Sequence, residues 1–327
     1  MKVFISGADG FLGSNLIREL LTRNHEVVAF VKEGDDPKTI KELELEIRYG
    51  DLLDAASIEA AMEGCDAVVH TAASTGIWPY RSEIQKKINV DGTKNMVAAS
   101  KANKIKRYIH IGTANSFGYG SKENPGDETL PYASGIYGMD YMDTKYEAHQ
   151  FVLKEAKENN FPAIVITPTF MFGPYPARLG SAKMVVSVYQ KKVNGYTKGG
   201  RNYIAVKDVC VAIANGLTQG RIGESYIAGN RNLNYKEIFT LIAGVVGVKP
   251  PKLAFPGFIA KTVGWVNTVL ARTFNFEPVI STSMAQMALD EHYYSPEKAR
   301  KELGLPQSSL EDAVRESFEW LKENKYI

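Results

Sequence analysis

The chain has 327 residues, a length that suits about two domains. Hydrophobic residues make up 44% and charged residues 23%, which excludes a disordered, collagen-like or coiled-coil chain. The 39 basic and 37 acidic side chains leave a net charge of +2, so the composition gives no bulk attraction to nucleic acid or to anionic membranes.

Short apolar runs alternate with helical patterns along the first half of the chain. Strands are predicted at residues 3–6, 27–31, 43–49, 67–71, 108–111 and 163–166, and helices at 14–23, 55–63, 86–103 and 142–158. Strands separated by helices at this spacing predict an α/β fold with a doubly wound parallel sheet. The pattern weakens after Gly173, where we expect a helix at 206–217, a strand at 225–228, a helix at 236–246 and two helices within 296–324.

A glycine-rich loop joins the first predicted strand to the first helix, and it reads Gly7-Ala8-Asp9-Gly10-Phe11-Leu12-Gly13. Glycines allow a tight turn, a close approach of the backbone to a pyrophosphate, and close packing of the helix on the strand. The helix N-terminus then offers free N–H groups to the phosphates. An ordinary strand-to-helix turn is the alternative, but the position of the loop favours a dinucleotide site.

This spacing resembles the extended short-chain dehydrogenase/reductase family of the NAD-dependent epimerase/dehydratase type, which includes dihydroflavonol-reductase-like carbonyl reductases. The resemblance covers nearly the whole chain and implies a Rossmann domain at residues 1–173, to which 204–228 return. Residues 174–203 and 229–327 are then a smaller, mostly helical substrate-binding domain. The implied cofactor contacts are Gly7, Gly10, Phe11, Leu12, Gly13, Lys32, Asp51, Leu52, Thr71, Ala72, Ala73, Asn89, Tyr141, Lys145, Pro168 and Phe170.

The end of the second strand bears on the choice between NADP and NAD. Lys32 stands where phosphate-binding relatives carry Arg, and no acidic residue closes the strand itself. We therefore expect NADP, with NAD as the alternative if Lys32 is a solvated surface residue and Glu33 binds the ribose instead.

Tyr141 and Lys145 are four residues apart, which places them on the same face of a predicted helix. A cation near the phenol favours the phenolate, so Tyr141 could exchange a proton with a substrate oxygen. Thr113 lies where the family usually has Ser or Thr, and its hydroxyl could orient that oxygen. We expect these three residues to be catalytic, and Ser116 is the less favoured alternative to Thr113.

The second half of the chain gives conflicting signs about the substrate. Many sugar-active relatives carry Arg before Pro168, and Thr167 stands there instead, as in carbonyl reductases. Arg201, however, matches a position that clamps a nucleotide diphosphate in epimerases, although it could equally be a loop arginine. The candidate substrate residues are Ser74, Trp78, Asn115, Tyr137, Met171, Arg178 and Arg201.

The remaining features favour small-molecule chemistry. The histidines show no metal-ligand spacing, and Cys65 and Cys210 are too few for a disulfide framework, so we expect no metal, thiols in a reducing compartment and a cytoplasmic protein. The apolar stretch from Phe255 to Thr273 is too short and polar to span a bilayer. It could cover the pocket or form a subunit contact. We expect no nucleic-acid or membrane partner, and the resemblance implies a homodimer.

Together these features predict an NAD(P)-dependent oxidoreductase that transfers hydride between the nicotinamide and a ketone or aldehyde. The first alternative is a nucleoside-diphosphate-sugar epimerase or dehydratase that keeps its cofactor bound. The second, from another class, is a cofactor-sensing binding protein without catalysis, against which the intact Thr113, Tyr141 and Lys145 argue.

Overall fold

A computed structural model describes all 327 residues and contains one large parallel sheet. Its seven strands lie in the order β3-β2-β1-β4-β5-β6-β10. Their bounds are β1 Lys2–Ser6, β2 Glu26–Lys32, β3 Glu46–Gly50, β4 Ala67–His70, β5 Arg107–Ile111, β6 Ala163–Pro168 and β10 Ser225–Ala228. The chain reverses its direction of winding between β1 and β4, which in doubly wound sheets is the place where ligands bind. The predicted fold class is confirmed.

Alternation along these strands divides the core between the two faces of the sheet. Val3 and Ile5 lie in one cluster of 30 buried residues, whereas Phe4 lies in a second cluster of 18. Successive side chains of a strand point to opposite faces, so a continuous apolar run serves both clusters. The central strands are therefore almost wholly buried and give the site a rigid base.

Helices cover both faces of this sheet. They are α1 Phe11–Thr22, α2 Ala55–Ala61, α3 Glu83–Lys86, α4 Gly92–Ala102, α5 Asp140–Glu158, α7 Val206–Gly216 and α11 Glu297–Leu303. A π-helical turn at Lys87–Asp91 joins α3 to α4, and 3-10 turns lie at Ala114–Ser116 and Ser134–Tyr137. Helix α11 contributes Ala299 and Leu303 to the larger cluster, so residues near the end of the chain pack on the first sheet.

The rest of the chain forms a smaller part with its own core of 17 buried residues. Its strands are β7 Phe170–Phe172, β8 Gly195–Tyr196, β9 Gly200–Ala205, β11 Arg231–Asn234, β12 Leu253–Ala254 and β13 Glu291–His292, and β9 pairs with β7, β11 and β13. Its helices are α6 Ala182–Tyr189, α8 Tyr235–Val246, α9 Gly257–Phe274, α10 Thr282–Met287 and α12 Leu310–Glu323. The sequence predicted this part as mostly helical and missed the small sheet, because its strands are short and lack a clear alternation.

Candidate active site

The glycine loop lies at the carboxyl end of β1 and leads directly into α1. Gly7 has a φ of +67°, and a Cβ there would lie 2.7 Å from the backbone of Ala72. A Cβ at Gly13 would lie 2.2 Å from the carbonyl oxygen of Gly7, so only glycine lets the helix approach this closely. A Cβ at Gly10 would meet only Gly7 O, at 3.1 Å, so that part of the loop stays accessible. This cradle fits a dinucleotide pyrophosphate.

Pro174 and Tyr175, at the start of the smaller part, contact α1. Asn15 Nδ2 donates to the carbonyl oxygen of Pro174 at 2.9 Å, and the Arg18 guanidinium lies 3.6 Å from the ring centroid of Tyr175. Arg18 also donates to the carbonyl oxygen of Thr39 at 2.8 Å. The helix that follows the glycine loop is therefore held on two sides. Nothing in the sequence pattern distinguished these contacts from those of ordinary surface residues.

The predicted adenosine-side residues lie along the same edge of the sheet. Lys32 is exposed at the end of β2, beside Gly50 of β3, and Asp51 accepts from the backbone N–H of Leu53 at 2.8 Å. Thr71 donates to the carbonyl oxygen of Ser6 at 2.6 Å, which ties the end of β4 to the start of the glycine loop.

Arg178 is the predicted substrate residue nearest to the glycine loop in its electrostatic effect. Burial raises the pKa of the Asp9 carboxyl in that loop, and the positive charge of Arg178 opposes the rise. Arg178 therefore lies near the glycine loop.

Asn89 connects the predicted nicotinamide side of the site to α5, the helix of Tyr141 and Lys145. Its amide oxygen accepts from the N–H of Ser74 at 2.7 Å, and its amide nitrogen donates to the Ser74 carbonyl and the Thr144 hydroxyl, each at 3.0 Å. It lies in the π-helical turn, a distortion that often marks functional positions. Because the amide is engaged by this chain, Asn89 acts here as a positioning residue for the loop and for α5.

Thr113, Tyr141 and Lys145 come together beyond the carboxyl end of β5. Thr113 is buried directly after the strand, and Lys145 is buried one turn along α5 from Tyr141. Lys145 Nζ donates to the carbonyl oxygen of Ile111 at 2.5 Å, so the ammonium is held against the end of the strand. Burial lowers the pKa of Lys145 to about 8. The proposed influence of this ammonium on the Tyr141 phenol stays a prediction.

The Tyr141 phenol responds to two other groups. Burial raises its pKa, whereas the nearby Thr113 hydroxyl and the positive charge of Arg201 lower it. The Thr113 hydroxyl therefore lies near the phenol, and the catalytic pairing of the two hydroxyls stays a prediction. The influence of Arg201 was not expected from the sequence, which separates it from Tyr141 by 60 residues.

Arg201 lies in β9 and reaches the same space from the smaller part. Its guanidinium donates to the Tyr235 hydroxyl at 3.0 Å and to Met287 Sδ at 3.3 Å, and it lies 5.7 Å from the ring centroid of Phe170. Neither hydrogen-bond partner is a carboxylate. An arginine held in this way keeps its positive charge available to an anionic group of a ligand.

Of the other predicted substrate residues, Tyr137 is the most deeply buried. Its hydroxyl donates to Asp290 at 2.7 Å and lies 3.0 Å from both Tyr119 Oη and His292 Nε2. Its side chain packs with Met139, Met142 and Met287, and the Tyr141 ring packs against this group. Asp290, His292 and Met287 come from the C-terminal part of the chain, and no sequence motif indicated them.

The remaining candidate substrate residues are Trp78, Asn115 and Met171, and Ser116 is the alternative to Thr113. Trp78 packs edge-on against Tyr80, with 5.0 Å between the ring centroids, and Tyr80 packs on the Tyr137 group. The amide of Asn115 lies 3.4 Å from the Thr113 hydroxyl. Met171 packs against the larger core cluster. Ser116 is buried with its hydroxyl unpartnered.

Comparisons with known proteins agree with this architecture. The chain matches the profile of the NAD dependent epimerase/dehydratase family over residues 3–229. It is 28% identical to a Synechocystis sp. protein with the provisional name dihydroflavonol 4-reductase, over 99% of this chain and 95% of that one. It is also 28% identical to the 2-alkyl-3-oxoalkanoate reductase of Stenotrophomonas maltophilia, over 96% of this chain and 98% of that one.

Among solved structures, the crystal structure of gox2253 is similar along the whole chain. The TM-score is 0.86 at 31% sequence identity, and 98% of each chain is covered. The resemblance found in the sequence is thereby confirmed. Since the family profile extends over more than half of its residues, the protein belongs to the NAD dependent epimerase/dehydratase family of enzymes.

Proposed function

We propose that this protein is an NAD(P)-dependent reductase or dehydrogenase of small carbonyl compounds that are mainly apolar. The observation that carries the proposal is the meeting of Thr113 and Tyr141 beside an aromatic and methionine-rich wall. The reductase names of the two relatives described above support it. A bound nicotinamide would supply or accept the hydride.

The residues of this chain would handle the proton and the orientation of the substrate. Thr113 and Tyr141 present two hydroxyls to one carbonyl oxygen, and Tyr141 delivers the proton to it when the carbonyl is reduced. Lys145 holds a positive charge one turn away, with a pKa of about 8. Asn89 fixes the angle of α5 through Thr144, and so fixes the position of both α5 residues.

The wall of the site favours an apolar substrate. Tyr137, Met142 and Met287 are buried around the Tyr141 ring, and Ile77 and Tyr80 pack against them. Thr167, at the place where sugar-active relatives carry Arg, is buried and donates to the carbonyl oxygen of Tyr226 at 3.1 Å. That position therefore offers no positive charge to a nucleotide sugar.

Arg201 supports a second candidate function, that of a nucleoside-diphosphate-sugar epimerase or dehydratase. Its charge is not neutralised by a carboxylate and acts on Tyr141, which suits a substrate with a phosphate or carboxylate group. A ketone that carries a carboxylate would satisfy both Arg201 and the apolar wall. The two candidates therefore differ in cofactor turnover rather than in charge alone.

We further propose a preference for NADP over NAD, based on Lys32. This side chain is exposed at the end of β2 and can reach a phosphate. Glu33, Asp35 and Asp36 follow it in the exposed loop, and Asp36 lies 4.0 Å from the ammonium of Lys38. Because these carboxylates follow Lys32 closely in the chain, we expect a modest preference, roughly tenfold.

The test is a thermal-shift screen of NADPH and NADH, followed by turnover assays with simple ketones and aldehydes and with nucleotide sugars. A reductase consumes reduced cofactor in proportion to product. An epimerase converts the sugar with no net loss of cofactor. Binding of cofactor without turnover of any substrate would contradict both candidates and support a cofactor-sensing protein.

A further inference from the structure

Helix α9 turns its large apolar side chains to solvent and its small side chains to the protein. The residues it buries are Ala260, Gly264, Thr268 and Ala271. A Cβ at Gly264 would lie 2.6 Å from Cβ of Ala285, so the backbone of the helix lies directly on α10. This is the reverse of the usual arrangement, in which a surface helix buries its large apolar residues.

The exposed residues form a continuous apolar surface. Of the 21 large hydrophobic residues exposed in the whole chain, 12 lie between Leu253 and Val279. Phe258, Trp265 and Phe274 have relative exposures of 71%, 60% and 70%. At 3.6 residues per turn the apolar positions of α9 cover about half of its circumference. We call this the α9 surface; its members are Leu253, Phe255, Phe258, Ile259, Val263, Trp265, Val266, Val269, Leu270, Phe274, Phe276 and Val279.

Basic side chains outnumber acidic ones around the α9 surface, in which Glu277 is the one acidic residue. No acidic residue occurs between Glu237 and Glu277, a stretch that contains Lys249, Lys252, Lys261 and Arg272. All four basic side chains are exposed. Lys261 and Arg272 are 11 residues apart, or about three turns, so they flank the same edge of the apolar face.

Against the expectation of no membrane partner drawn from the sequence, we propose that the α9 surface docks on an anionic lipid bilayer, with α9 lying in the plane of the headgroup region. Aromatic and aliphatic side chains on one face, with basic residues beside them, are the features that hold amphipathic helices at this depth. Each basic residue near an anionic surface adds about 1 kcal/mol of attraction. No helix of the structure is long and apolar enough to cross a membrane.

A second copy of the chain is the competing occupant, and the charges disfavour it. A two-fold interface brings the same patch of both copies together. The exposed Lys249, Lys252, Lys261 and Arg272 of each copy would then be brought to one interface, with only Glu277 of each patch to balance them. Anionic headgroups supply that balance.

Helix α9 also contacts, through its buried side and through Arg272, a residue that packs beside the candidate active site. Thr268 Oγ1 of α9 lies 3.3 Å from the Tyr80 hydroxyl, and the Arg272 guanidinium lies 5.8 Å from the Tyr80 ring centroid. Tyr80 in turn packs on the wall around Tyr141. The consequence, which rests on the proposed reductase function, is that an apolar substrate dissolved in the bilayer meets the protein next to its site.

Vesicle flotation of the full chain tests the docking. One set of vesicles contains only phosphatidylcholine, and the other contains equal parts of phosphatidylcholine and phosphatidylglycerol. We expect binding to the anionic vesicles at least tenfold tighter than to the neutral ones, with a blue shift of tryptophan emission. The double variant Phe258→Ser/Phe274→Ser should lose at least tenfold in binding. Lys261→Glu should weaken binding to the anionic vesicles alone.

Ile222→Ser is the matched control, since Ile222 is a large apolar residue with 46% exposure outside the α9 surface. It should bind vesicles as the unaltered protein does. Unfolding temperatures of all variants establish that they are folded.

Two results would overturn the docking proposal. One is vesicle binding that persists undiminished in the double variant. The other combines two observations. The unaltered protein does not bind vesicles, and in sedimentation velocity without lipid it is a dimer whereas the double variant is a monomer. Reduction of a water-soluble carbonyl in buffer is measured beside these, and the double variant should retain it. If the unaltered protein binds vesicles but reduces no carbonyl, the proposed function fails and the docking stands.

Discussion

The side-chain amide of Asn89 donates a hydrogen bond to the hydroxyl of Thr144 at 3.0 Å, and so joins the π-helical turn to the helix that carries Tyr141 and Lys145. Thr144 is the residue before Lys145, and Asn89 also holds both backbone groups of Ser74. A single buried amide therefore sets the loop after β4 and α5 in fixed relation. The predictions below concern the groups that this arrangement positions.

Tyr141→Phe should lower kcat by about 100-fold to 10,000-fold, because it removes the proposed proton donor. Cofactor affinity should stay within a few-fold, as measured by titration calorimetry. Tyr146→Phe is the control from the same helix, since Tyr146 stacks on Tyr132 with 4.2 Å between their centroids. Unchanged turnover in Tyr141→Phe would contradict the proposal that Tyr141 is the proton donor.

Lys145→Met should reveal the cost of burying an ammonium. Burial lowers the pKa of Lys145 from 10.5 to about 8. The buried ammonium therefore destabilises the folded protein in full below pH 8, and this destabilisation disappears between pH 8 and 10.5 as the folded protein loses the proton. The free energy of unfolding of the unaltered protein, minus that of the variant, should therefore rise with pH across that window, by about 3 kcal/mol. Denaturant unfolding without cofactor at several pH values measures it, and Lys154→Met is the exposed control from α5. A difference that does not change with pH would contradict the assignment.

Arg201→Ala should separate charged from neutral substrates. For a neutral ketone we expect less than a tenfold change in kcat/KM at neutral pH. For a ketone or sugar with a carboxylate or phosphate, the loss of a charge-assisted hydrogen bond should cost about 2 kcal/mol, or roughly 30-fold.

The pH profile gives a second reading of the same variant. The Arg201 charge lowers the pKa of Tyr141, so its removal should move the alkaline limb of the profile to higher pH. Arg201→Lys keeps the charge and should leave that limb nearer its original place. Equal losses for both substrate types would remove Arg201 as a substrate anchor.

Lys32→Ala should weaken NADPH more than NADH, by about tenfold in the ratio of their dissociation constants. Glu33→Ala should change the ratio in the opposite direction, because it removes a carboxylate beside the same position. Fluorescence titration with both cofactors measures the ratio. If Lys32→Ala weakens both cofactors alike, the phosphate assignment is wrong.

Gly13→Ala should damage the glycine loop. The added Cβ would lie 2.2 Å from Gly7 O and 2.9 Å from Cα of Ala8, so the helix must move away from the loop. We expect a loss of about 1–3 kcal/mol in the free energy of unfolding and weaker cofactor binding. Gly244→Ala in α8 is the control, since a Cβ there meets nothing within 4 Å and should stabilise by about 0.5–1 kcal/mol.

The large sheet and its long helices could be predicted because their sequence signals are local. Each strand of the large sheet is a short apolar run, and each long helix shows its own periodicity, so β1, α1 and β10 appear within a few residues of their expected bounds. The small sheet could not be predicted in this way. Its pairing of β9 with β7, β11 and β13 joins segments up to about 90 residues apart, and none of those strands has a strong pattern.

In the candidate site, too, local relationships could be predicted from the sequence and tertiary ones could not. Tyr141 and Lys145 are linked by helical spacing, which the sequence displays directly. The action of Arg201 on Tyr141 depends on how β9 lies against α5, and this is a property of the tertiary fold. The α9 surface was hidden for another reason. Its apolar composition was visible in the sequence, but which side of the helix faces solvent is decided by the contact of Gly264 with Ala285.

The packing of α11 on the first sheet has a consequence for synthesis of the protein. Ala299, Leu303 and Leu305 complete the same core cluster as Val3 and Ile5, which lie almost 300 residues earlier. The glycine loop leaves the ribosome almost 300 residues before the segment that closes the core beneath it. A nascent chain stopped at Gly173 would leave apolar surface bare, and we expect such a fragment to need a chaperone to stay in solution.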